Sequence, residues 1–376
     1  MKKIKIGKIV IFSLLISLPL LLQLLGVNLN VRNTENRKLK ESPRFTFEQT
    51  RVSRGSLQKM LGVYRDVISF KNAYDHYYKD NFVFKNLLFK SYYFIQNDVF
   101  GVEPLAHKVV RGTNGWFFLG DSYSDVIKES KAMISFNEKE LEQIKKGMLE
   151  KKAWLAKRNI DFYIAVAPNK HSVYGNELPI VKGNKITKLE QVNRLLTSEG
   201  LNFVDLSANF PDNNKFRLYH KTNTHWNDYG AYWAYNVLIS KIVEKYPSLK
   251  VMKFNDFKVK TEISNQEDLT GMLDINVEEQ CIILEHPSEI AQEVPSTLPI
   301  PPNIKDYVFH YTSTINSIKV LTFRDSFFSA LMKFTKESFG ESVYVWSLFD
   351  KNVVEAEKPN IVIWEIVERD LDHFLL

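Results

Sequence analysis

Cysteine is nearly absent from the sequence, and its scarcity excludes a disulfide scaffold. Cys281 is the single cysteine among 376 residues, so no disulfide can form within the chain. A lone thiol is more often a small buried side chain than a nucleophile. Stability must therefore come from an apolar core, and the length suffices for one large or two ordinary domains.

The sequence also lacks the charge excess of a nucleic-acid-binding protein. Four of its 50 basic residues stand together at the N-terminus with no acidic residue among them: Lys2, Lys3, Lys5 and Lys8. The remainder carries 46 basic and 44 acidic residues. This near balance of charge excludes nucleic acid as the expected partner. No two histidines have the i, i+4 spacing of a helical metal site. We therefore expect no metal and no cofactor.

A nineteen-residue apolar run, Ile9–Val27, follows the N-terminal lysines. Its length is enough to span a bilayer, and the lysines predict a cytoplasmic N-terminus with the chain after Asn28 exported to the periplasm or cell exterior. A cleavable signal peptide is the alternative, which the length of the run and the lack of a small-x-small cleavage site before Asn28 disfavour. We therefore expect a single-pass protein of the cell membrane.

Residues 29–108 are predicted to be a tether followed by helices. A polar segment comes first, and apolar side chains then recur at helical spacing at Leu57, Leu61, Tyr64 and Ile68. The pattern changes at residue 109. We therefore divide the chain into a signal anchor (1–28), a helical preamble (29–108) and a catalytic domain (109–376).

The domain from residue 109 onward is predicted to be α/β. Short apolar strands alternate with amphipathic helices, and Asn137 with Glu140 forms a capping-box pattern at the start of one helix. A turn and a strand are predicted within 115–120, and the further predicted strands are 162–166, 203–206, 318–323, 343–346 and 361–364. This alternation favours a parallel sheet with helices on both faces. Ligands of such sheets bind at the carboxyl ends of the strands, where Asn169, Asp205 and Ser326 lie.

The strand 318–323 ends at Arg324-Asp325 and places Ser326 just before a helix that is predicted to begin near Phe328. A serine on a strand-to-helix turn can present its Oγ as a nucleophile, because the helix N-terminus offers N–H groups to a developing oxyanion. A serine or aspartate that merely caps a helix gives the same pattern. The stretch alone leaves both interpretations open.

The best candidate for a general base is His225. It lies in the polar loop 221–230 beside Trp226, and Asn227 or Asp228 is expected to cap the helix that follows. A histidine next to tryptophan is often only structural. Among the eight histidines, however, His225 is the one with this density of polar neighbours.

These segments resemble the AlgX/AlgJ-like group of polysaccharide O-acetyltransferases, whose fold is that of the SGNH hydrolases. The resemblance is carried first by Thr222-Asn223-Thr224-His225-Trp226-Asn227 and then by Asp325-Ser326-Phe327, in this order. Shorter matches extend over nearly the whole chain from Asn33, namely Glu35-Asn36-Arg37, Gly115-Trp116-Phe117, Ala167-Pro168-Asn169-Lys170, Asp268-Leu269-Thr270-Gly271-Met272 and Glu368-Arg369. The resemblance implies an SGNH-like catalytic domain.

It also implies that Ser326 is the nucleophile and His225 the base. The third member in the family is an aspartate two residues before the histidine, and this chain has Asn223 there. An asparagine can orient the imidazole but supplies no charge for the imidazolium. The carboxylates that can replace that charge through space are Asp205, Asp228 and Asp325. Without such a replacement we expect slow turnover, or a site kept for binding.

Candidates for the oxyanion hole are the backbone N–H groups of Ser326 and Phe327, followed by Asn169 and Arg324. Trp226 is expected to stack on sugar rings, as are Trp116 and Trp233, with core packing as the alternative for all three.

The activity implied by the resemblance is ping-pong acetyl transfer through an acetyl-serine. The donor would be a membrane-bound O-acyltransferase, and the acceptor a hydroxyl of an exported or cell-surface polysaccharide. A membrane anchor would hold the enzyme near both. Two alternatives stay open: an acetylesterase of the same fold, and a non-catalytic glycan-binding subunit of a secretion complex.

A second constellation competes with Ser326 and His225. Gly120-Asp121-Ser122 follows a predicted strand, and Asp370-Leu371-Asp372-His373 lies near the C-terminus, as in ordinary SGNH hydrolases. In this alternative catalytic set Ser122 is the nucleophile, with Asp370 and His373 as its partners. Gly120-Asp121-Ser122 is also a favourable turn sequence. The surrounding matches favour Ser326 and His225.

Overall fold

The structure is a computed structural model that describes residues 11–14, 16–22, 25, 40–100, 106–211, 216–265, 267–286, 289–296, 298 and 307–376. Its contacts divide the chain into two units, residues 1–104 with 271–274, and residues 105–270 with 275–376. The predicted anchor Ile9–Val27 lies partly outside the described residues. Within those residues, no helix combines the length and the apolar character needed to cross a membrane.

The first unit is mainly helical in its described residues. Its helices are α1 Glu48–Val52, α2 Ser56–Asp80 and α3 Lys85–Phe94, followed by a π-helical turn Ile95–Val99. The helical spacing read between Leu57 and Ile68 is thus confirmed within α2. Asp66 of α2 accepts hydrogen bonds from the backbone N–H groups of Gln49 (2.9 Å) and Thr50 (3.0 Å), which are unpaired donors in the first turn of α1. This buried carboxylate fixes the two helices to each other.

The second unit holds the strands of the fold. They are β1 Val109–Arg111, β2 Phe117–Leu119, β3 Asp161–Ala167, β4 Asn202–Asp205, β5 Lys258–Ser264, β6 Glu279–Glu285, β7 Gln292–Glu293, β8 Val308–Thr312, β9 Lys319–Phe323, β10 Glu341–Val345 and β11 Ile361–Val367. The helices from residue 105 onward are α4 Val126–Ser130, α5 Glu138–Ala156, α6 Lys170–Val173, α7 Lys188–Ser198, α8 Asp228–Val243, α9 Asp268–Met272, α10 Phe328–Thr335 and α11 Lys351–Glu357. The 3-10 segments Gly175–Glu177, Phe254–Asp256 and Glu368–Leu375 accompany them.

The central sheet has seven strands in the order β4-β3-β11-β9-β10-β8-β7. The strands from β4 to β10 are parallel, whereas β8 is antiparallel to both β10 and β7. The expectation of a parallel sheet therefore needs a correction at one edge. No helix lies between β8 and β9, and a strand without a crossover helix is free to pair in the antiparallel direction.

Helices cover both faces of the sheet, as predicted. On one face, alternate side chains of β3 pack against α5 and α7 in a buried cluster that includes Ile164, Val166, Met148 and Val192. On the other face, the ring of Phe328 at the start of α10 lies 5.8 Å from that of Tyr344 in β10. The capping box predicted for α5 is formed, because Asn137 and Glu140 bond each other's backbone N–H.

The register of the parallel strands brings three loops to one edge of the sheet. Ala167 at the end of β3 pairs with Val367 at the end of β11, and Phe323 at the end of β9 pairs with Trp364. The segments that follow β3, β9 and β11 therefore leave the sheet side by side. Ser326 lies in the second of these segments.

Candidate active site

Ser326 lies between β9 and α10, in a turn that the side chain of Asp325 holds. One oxygen of Asp325 accepts from the N–H of Phe327 and the other from the N–H of Val367, both at 2.7 Å. The hydroxyl of Ser326 makes no cap for α10, whose capping residue, Phe327, has no side-chain hydrogen bond. The helix-cap interpretation of this serine therefore does not apply to its Oγ.

The hydroxyl of Ser326 instead contacts His225. The Oγ of Ser326 is 2.8 Å from Nε2 of His225, and Nδ1 of the same ring is 2.8 Å from Oδ1 of Asn223. Asn223 Oδ1 also accepts from the backbone N–H of His225 at 3.0 Å. The structure thus brings together all three residues of the predicted catalytic set, from positions 101 residues apart in sequence.

Thr224 and Asp268 complete the surroundings of His225. Asp268 accepts hydrogen bonds from the N–H of Thr224 (2.8 Å) and from the hydroxyl of Thr224. Because the one hydroxyl proton of Thr224 is directed to Asp268, Thr224 Oγ1 can only accept at its 3.1 Å contact with Nδ1 of His225. Asn223 Oδ1 and Thr224 Oγ1 both require a donor there, so Nδ1 carries the ring proton and Nε2 presents its lone pair to Ser326.

The loop that carries His225 is held by two further side chains. A carboxylate of Glu279 accepts from the N–H groups of Lys221 (2.7 Å) and Thr222 (2.9 Å), and buried Lys170 donates to the carbonyl of Asn223 at 2.6 Å. Burial lowers the pKa of Lys170 to about 7. Loop mobility at Asn223 is therefore restricted by side chains that are themselves fixed.

The helix after the loop adds a further constraint. Asn227 caps α8, since its Oδ1 accepts from the N–H groups of Tyr229 (3.0 Å) and Gly230 (3.1 Å). A Cβ at Gly230 would lie 2.2 Å from the carbonyl oxygen of Leu218, so only glycine allows the first turn of α8 to pack this close. The predicted cap at Asn227 is confirmed.

The electrostatic environment keeps the imidazole of His225 neutral. Burial is the main cause that lowers its pKa to about 3, and the positive charge of Arg369 acts in the same direction. The side chain is still 27% exposed. At neutral pH His225 is therefore in the form that can accept a proton.

A cleft of about 390 Å³ opens at Ser326. Its lining includes Arg324, Trp346 and Arg369 besides Ser326. Trp346 is 37% exposed, and the guanidinium of Arg369 lies 5.4 Å from the ring centroid of Phe327. The sequence interpretation noted Glu368-Arg369 only as a match and Trp346 only as the end of a strand, because neither position has a local pattern that shows what it faces.

The oxyanion candidates occupy different places. The N–H of Phe327 is engaged by Asp325 at 2.7 Å, which leaves the N–H of Ser326 without an acceptor among the described residues. Arg324 lines the cleft, but its guanidinium donates to the carbonyl of Asp325 and the hydroxyl of Ser329. Asn169 is 1% exposed, its amide has no partner in the described part of the chain, and it does not line the cleft.

The tryptophans expected to stack on sugars are core residues in two of three cases. Trp226 is 2% exposed, and its indole N–H donates to the carbonyl of Phe327 at 3.0 Å. Trp116 is buried against Tyr174, with ring centroids 4.1 Å apart. The substrate-binding prediction for Trp226 is therefore wrong in this structure. Trp226 instead anchors the residue that follows the serine.

The competing constellation is not assembled. Ser122 is exposed in a turn, and the hydroxyl of Ser124, not of Ser122, donates to Asp370 at 3.0 Å. His373 is exposed and lines the cleft near Ser326 together with Asp370. Among the described contacts, none joins Ser122 to His373.

The expected substitutes for the missing carboxylate also lie elsewhere. Asp228 bonds Lys333 and the N–H of Leu284, Asp205 bonds Ser207, and Asp325 bonds the turn described above. Among the described residues, the carboxylate within ion-pair distance of His225 is that of Asp268, with Oδ2 at 3.9 Å from Nδ1. The segment Asp268–Met272 matches the family in sequence, but no local pattern in it shows which loop it contacts.

The α/β sheet and the serine–histidine pair at its carboxyl edge define an SGNH-like domain. A family model described as "SGNH hydrolase-like domain, acetyltransferase AlgX" matches residues 109–298, just over half of the chain. The chain belongs to this AlgX/AlgJ-like acetyltransferase family, which confirms the resemblance seen in the sequence. The matched residues include His225 and Asp268, whereas Ser326 lies beyond them and joins the site by its geometry.

Two solved structures, both of PatB1, have the same fold. PatB1 of Bacillus cereus is 14% identical with a TM-score of 0.51, over 70% of this chain and 96% of PatB1. PatB1 with a sulfonyl adduct is 16% identical with a TM-score of 0.51, over 70% and 97% of the two chains. The O-acetyltransferase domain of Pseudomonas putida AlgJ is 16% identical with a TM-score of 0.39, over 70% and 92%. A comparison with curated proteins found no match.

Proposed function

We propose that this protein transfers acetyl groups to hydroxyls of a polysaccharide, by way of an acetyl ester on Ser326. The observation that carries the proposal is the 2.8 Å contact between Ser326 Oγ and His225 Nε2, in a ring whose other nitrogen has its proton held by Asn223 and Thr224. Membership of the acetyltransferase family supports acetyl as the group that is transferred and a polysaccharide as its acceptor.

In the first half-reaction His225 Nε2 takes the hydroxyl proton of Ser326, and Oγ attacks the carbonyl carbon of an acetyl ester. The tetrahedral intermediate collapses when the bond from carbon to the donor oxygen breaks. The donor oxygen accepts the proton from Nε2 of His225 and leaves as an alcohol. The products are the acetyl ester of Ser326, the free donor and a neutral His225.

In the second half-reaction a sugar hydroxyl replaces the donor alcohol. His225 Nε2 accepts the sugar proton while the sugar oxygen attacks the acetyl carbon on Ser326. Collapse breaks the bond to Oγ, and Oγ recovers its proton from Nε2. The same base thus serves both steps, and an acetylesterase differs only in that water takes the place of the sugar.

The negative oxygen of the intermediate needs donors near Ser326. The N–H of Ser326 supports this role because no described group accepts from it, and the guanidinium of Arg369 lies in the same cleft. Trp346 offers an exposed aromatic face at this cleft for a sugar ring. Arg369 and Trp346 replace the earlier candidates Asn169 and Trp226 in this proposal.

The location and the donor are proposed on sequence grounds. The apolar run Ile9–Val27 behind four lysines supports a single-pass anchor with the domain exported. An anchor would confine the site near a membrane-bound O-acyltransferase that supplies acetyl groups and near the emerging polysaccharide, which raises the effective concentration of both.

The test supplies a chromogenic acetyl ester with and without an acetyl-free oligosaccharide, and follows the enzyme by intact-mass spectrometry. We expect a gain of one acetyl group on the peptide that contains Ser326, and its faster loss when the oligosaccharide is added. Ester cleavage that no oligosaccharide accelerates and no sugar captures would identify an esterase. Oligosaccharide binding without any acetyl-enzyme would identify a non-catalytic subunit and refute the proposal.

A further inference from the structure

His225 must become positively charged for a moment in each half-reaction, and its direct partner cannot balance that charge. Asn223 Oδ1 is the oxygen of a neutral amide, 2.8 Å from Nδ1. The amide is turned this way because its Nδ2 donates to Oε2 of Glu267 at 2.7 Å. Asn223 therefore fixes the orientation of the ring, and the balancing charge has to come from a carboxylate at greater distance.

We propose that Asp268 is the anionic positioning residue of this site and acts on His225 through the hydroxyl of Thr224. The inference rests on the proposed function, since it assigns the charge that supports His225 as the base. Asp268 Oδ2 is 3.9 Å from Nδ1 of His225, and no other carboxylate of the described residues comes within ion-pair distance of that ring. Thr224 Oγ1 stands between them, hydrogen-bonded to both.

The surroundings of Asp268 are those of a charged acceptor. Its oxygens accept from the N–H of Thr224 (2.8 Å), the N–H of Leu269 (2.7 Å) and the hydroxyl of Thr224. Burial raises the pKa of Asp268, and these donors together with the charge of Lys170 oppose that rise. Because its side chain is only 10% exposed, little water screens its field at His225.

Thr224 links the two groups in a defined direction. Its hydroxyl proton goes to Asp268, which increases the negative charge on Oγ1, and Oγ1 accepts from Nδ1 of His225 at 3.1 Å. Formation of the imidazolium strengthens this contact and the longer attraction to Asp268. The effect is largest when His225 is protonated, so it favours the transition state over the resting enzyme.

The experiment measures the rate at which phenylmethylsulfonyl fluoride labels Ser326, followed by mass spectrometry. Labelling needs the same proton transfer to His225, and the proton leaves with the displaced fluoride, so neither the natural donor nor the polysaccharide is required. We expect Asp268→Asn to slow labelling about 10- to 100-fold, as for loss of a hydrogen bond to a charged group. The matched control Asp161→Asn, which removes a carboxylate that bonds Lys245 and Tyr246 at the start of β3, should leave the rate unchanged.

A rescue background separates charge from structure. Asn223→Asp with Glu267→Gln puts a carboxylate directly on Nδ1 and keeps an amide donor behind it. In that background, adding Asp268→Asn should change the labelling rate less than about threefold, because the charge is already present. A merely structural Asp268 would cost as much there as in the unmodified protein. If Asp268→Asn does not fold, Thr224→Val is measured in both backgrounds against the same limits.

The inference is overturned if Asp268→Asn labels within about threefold of the unmodified protein, or if the rescue background is slowed as much as the unmodified one. Failure of the proposed function has a different signature. In that case Ser326 is labelled and depends on Asp268, but no acetyl group reaches Ser326 or a sugar.

Discussion

Glu267 decides which atom of Asn223 faces His225. Oε2 of Glu267 accepts from Nδ2 of Asn223 at 2.7 Å, so the amide oxygen points at the imidazole and accepts from Nδ1 at 2.8 Å. With the amide reversed, two donors would meet. The side chain that replaces the family aspartate is thus built into a hydrogen-bond chain of its own, and a simple return to aspartate would break it.

We therefore expect Asn223→Asp to raise the labelling rate of Ser326 less than Asn223→Asp combined with Glu267→Gln. Aspartate alone sets two carboxylates against each other where a 2.7 Å hydrogen bond stood, and like charges this close disfavour ionisation of both. When Glu267→Gln is added, the new carboxylate at position 223 can ionise. The double variant should be up to about tenfold faster than the unmodified protein.

Sulfonyl labelling kinetics at pH 7 measure both variants, with Glu267→Gln alone as the control. That control should stay near the unmodified rate, because a glutamine oxygen can still accept from Asn223. A single Asn223→Asp variant as fast as the double variant would show that Glu267 imposes no such constraint.

Ser326→Ala should abolish acetyl-enzyme formation and lower ester cleavage by about 10³-fold or more, with an unchanged free energy of unfolding. The reason is that Oγ is the acceptor of the acetyl group in the proposed chemistry, while the turn is held by Asp325 and not by the serine hydroxyl. Ser122→Ala is the matched control, from the competing constellation, and should retain full activity. An acetyl group found on Ser122 would contradict the assignment.

The sequence was a good guide wherever a local pattern fixed the structure. The strand before Ser326 was expected over 318–323 and is Lys319–Phe323, and the helix expected near Phe328 begins there. Ser326 was expected at the carboxyl edge of the sheet, where ligands of parallel sheets bind. The grouping of Asn223 and His225 with Ser326 followed from the resemblance of the segment 222–227 to the family, and the three side chains are in contact in the structure.

What the sequence could not show depends on contacts between loops. Asp268 reaches His225 from a separate helix, and no spacing or periodicity connects the two positions. Trp226 resembled an exposed aromatic in a polar loop, yet its indole packs on Phe327 and its N–H is satisfied there. The antiparallel edge formed by β7 and β8 was missed for a similar reason, because short strands after a proline-rich passage carry no signal of direction.

Two glycines should respond to alanine in opposite directions. At Gly230 a Cβ would meet the Leu218 carbonyl at 2.2 Å, so Gly230→Ala should lower the free energy of unfolding by about 1–3 kcal/mol and slow labelling of Ser326. At Gly147, inside α5, a Cβ would meet only the end of the Lys151 side chain at 3.7 Å. Gly147→Ala should therefore raise the free energy of unfolding by about 0.5–1 kcal/mol. Urea titrations measure both. Equal effects of the two changes would show that the packing at Leu218 is not restrictive.

The pH dependence follows from the environment of His225. Burial lowers its pKa to about 3, so the neutral base persists far below the pH near 6.5 at which an ordinary histidine is protonated. Labelling of Ser326 should therefore be nearly constant from pH 7 down to about 5, with an acid limb whose midpoint lies well below 6.5. Between pH 6.5 and 3 the unfolded state binds a proton at this residue and the folded state does not. The contribution of His225 to the free energy of unfolding therefore falls as the pH falls through that window. Urea titrations of His225→Gln beside the unmodified protein should show a smaller loss of stability on acidification in the variant. In the labelling experiment, an acid limb centred near pH 6.5 would refute the assigned environment of His225.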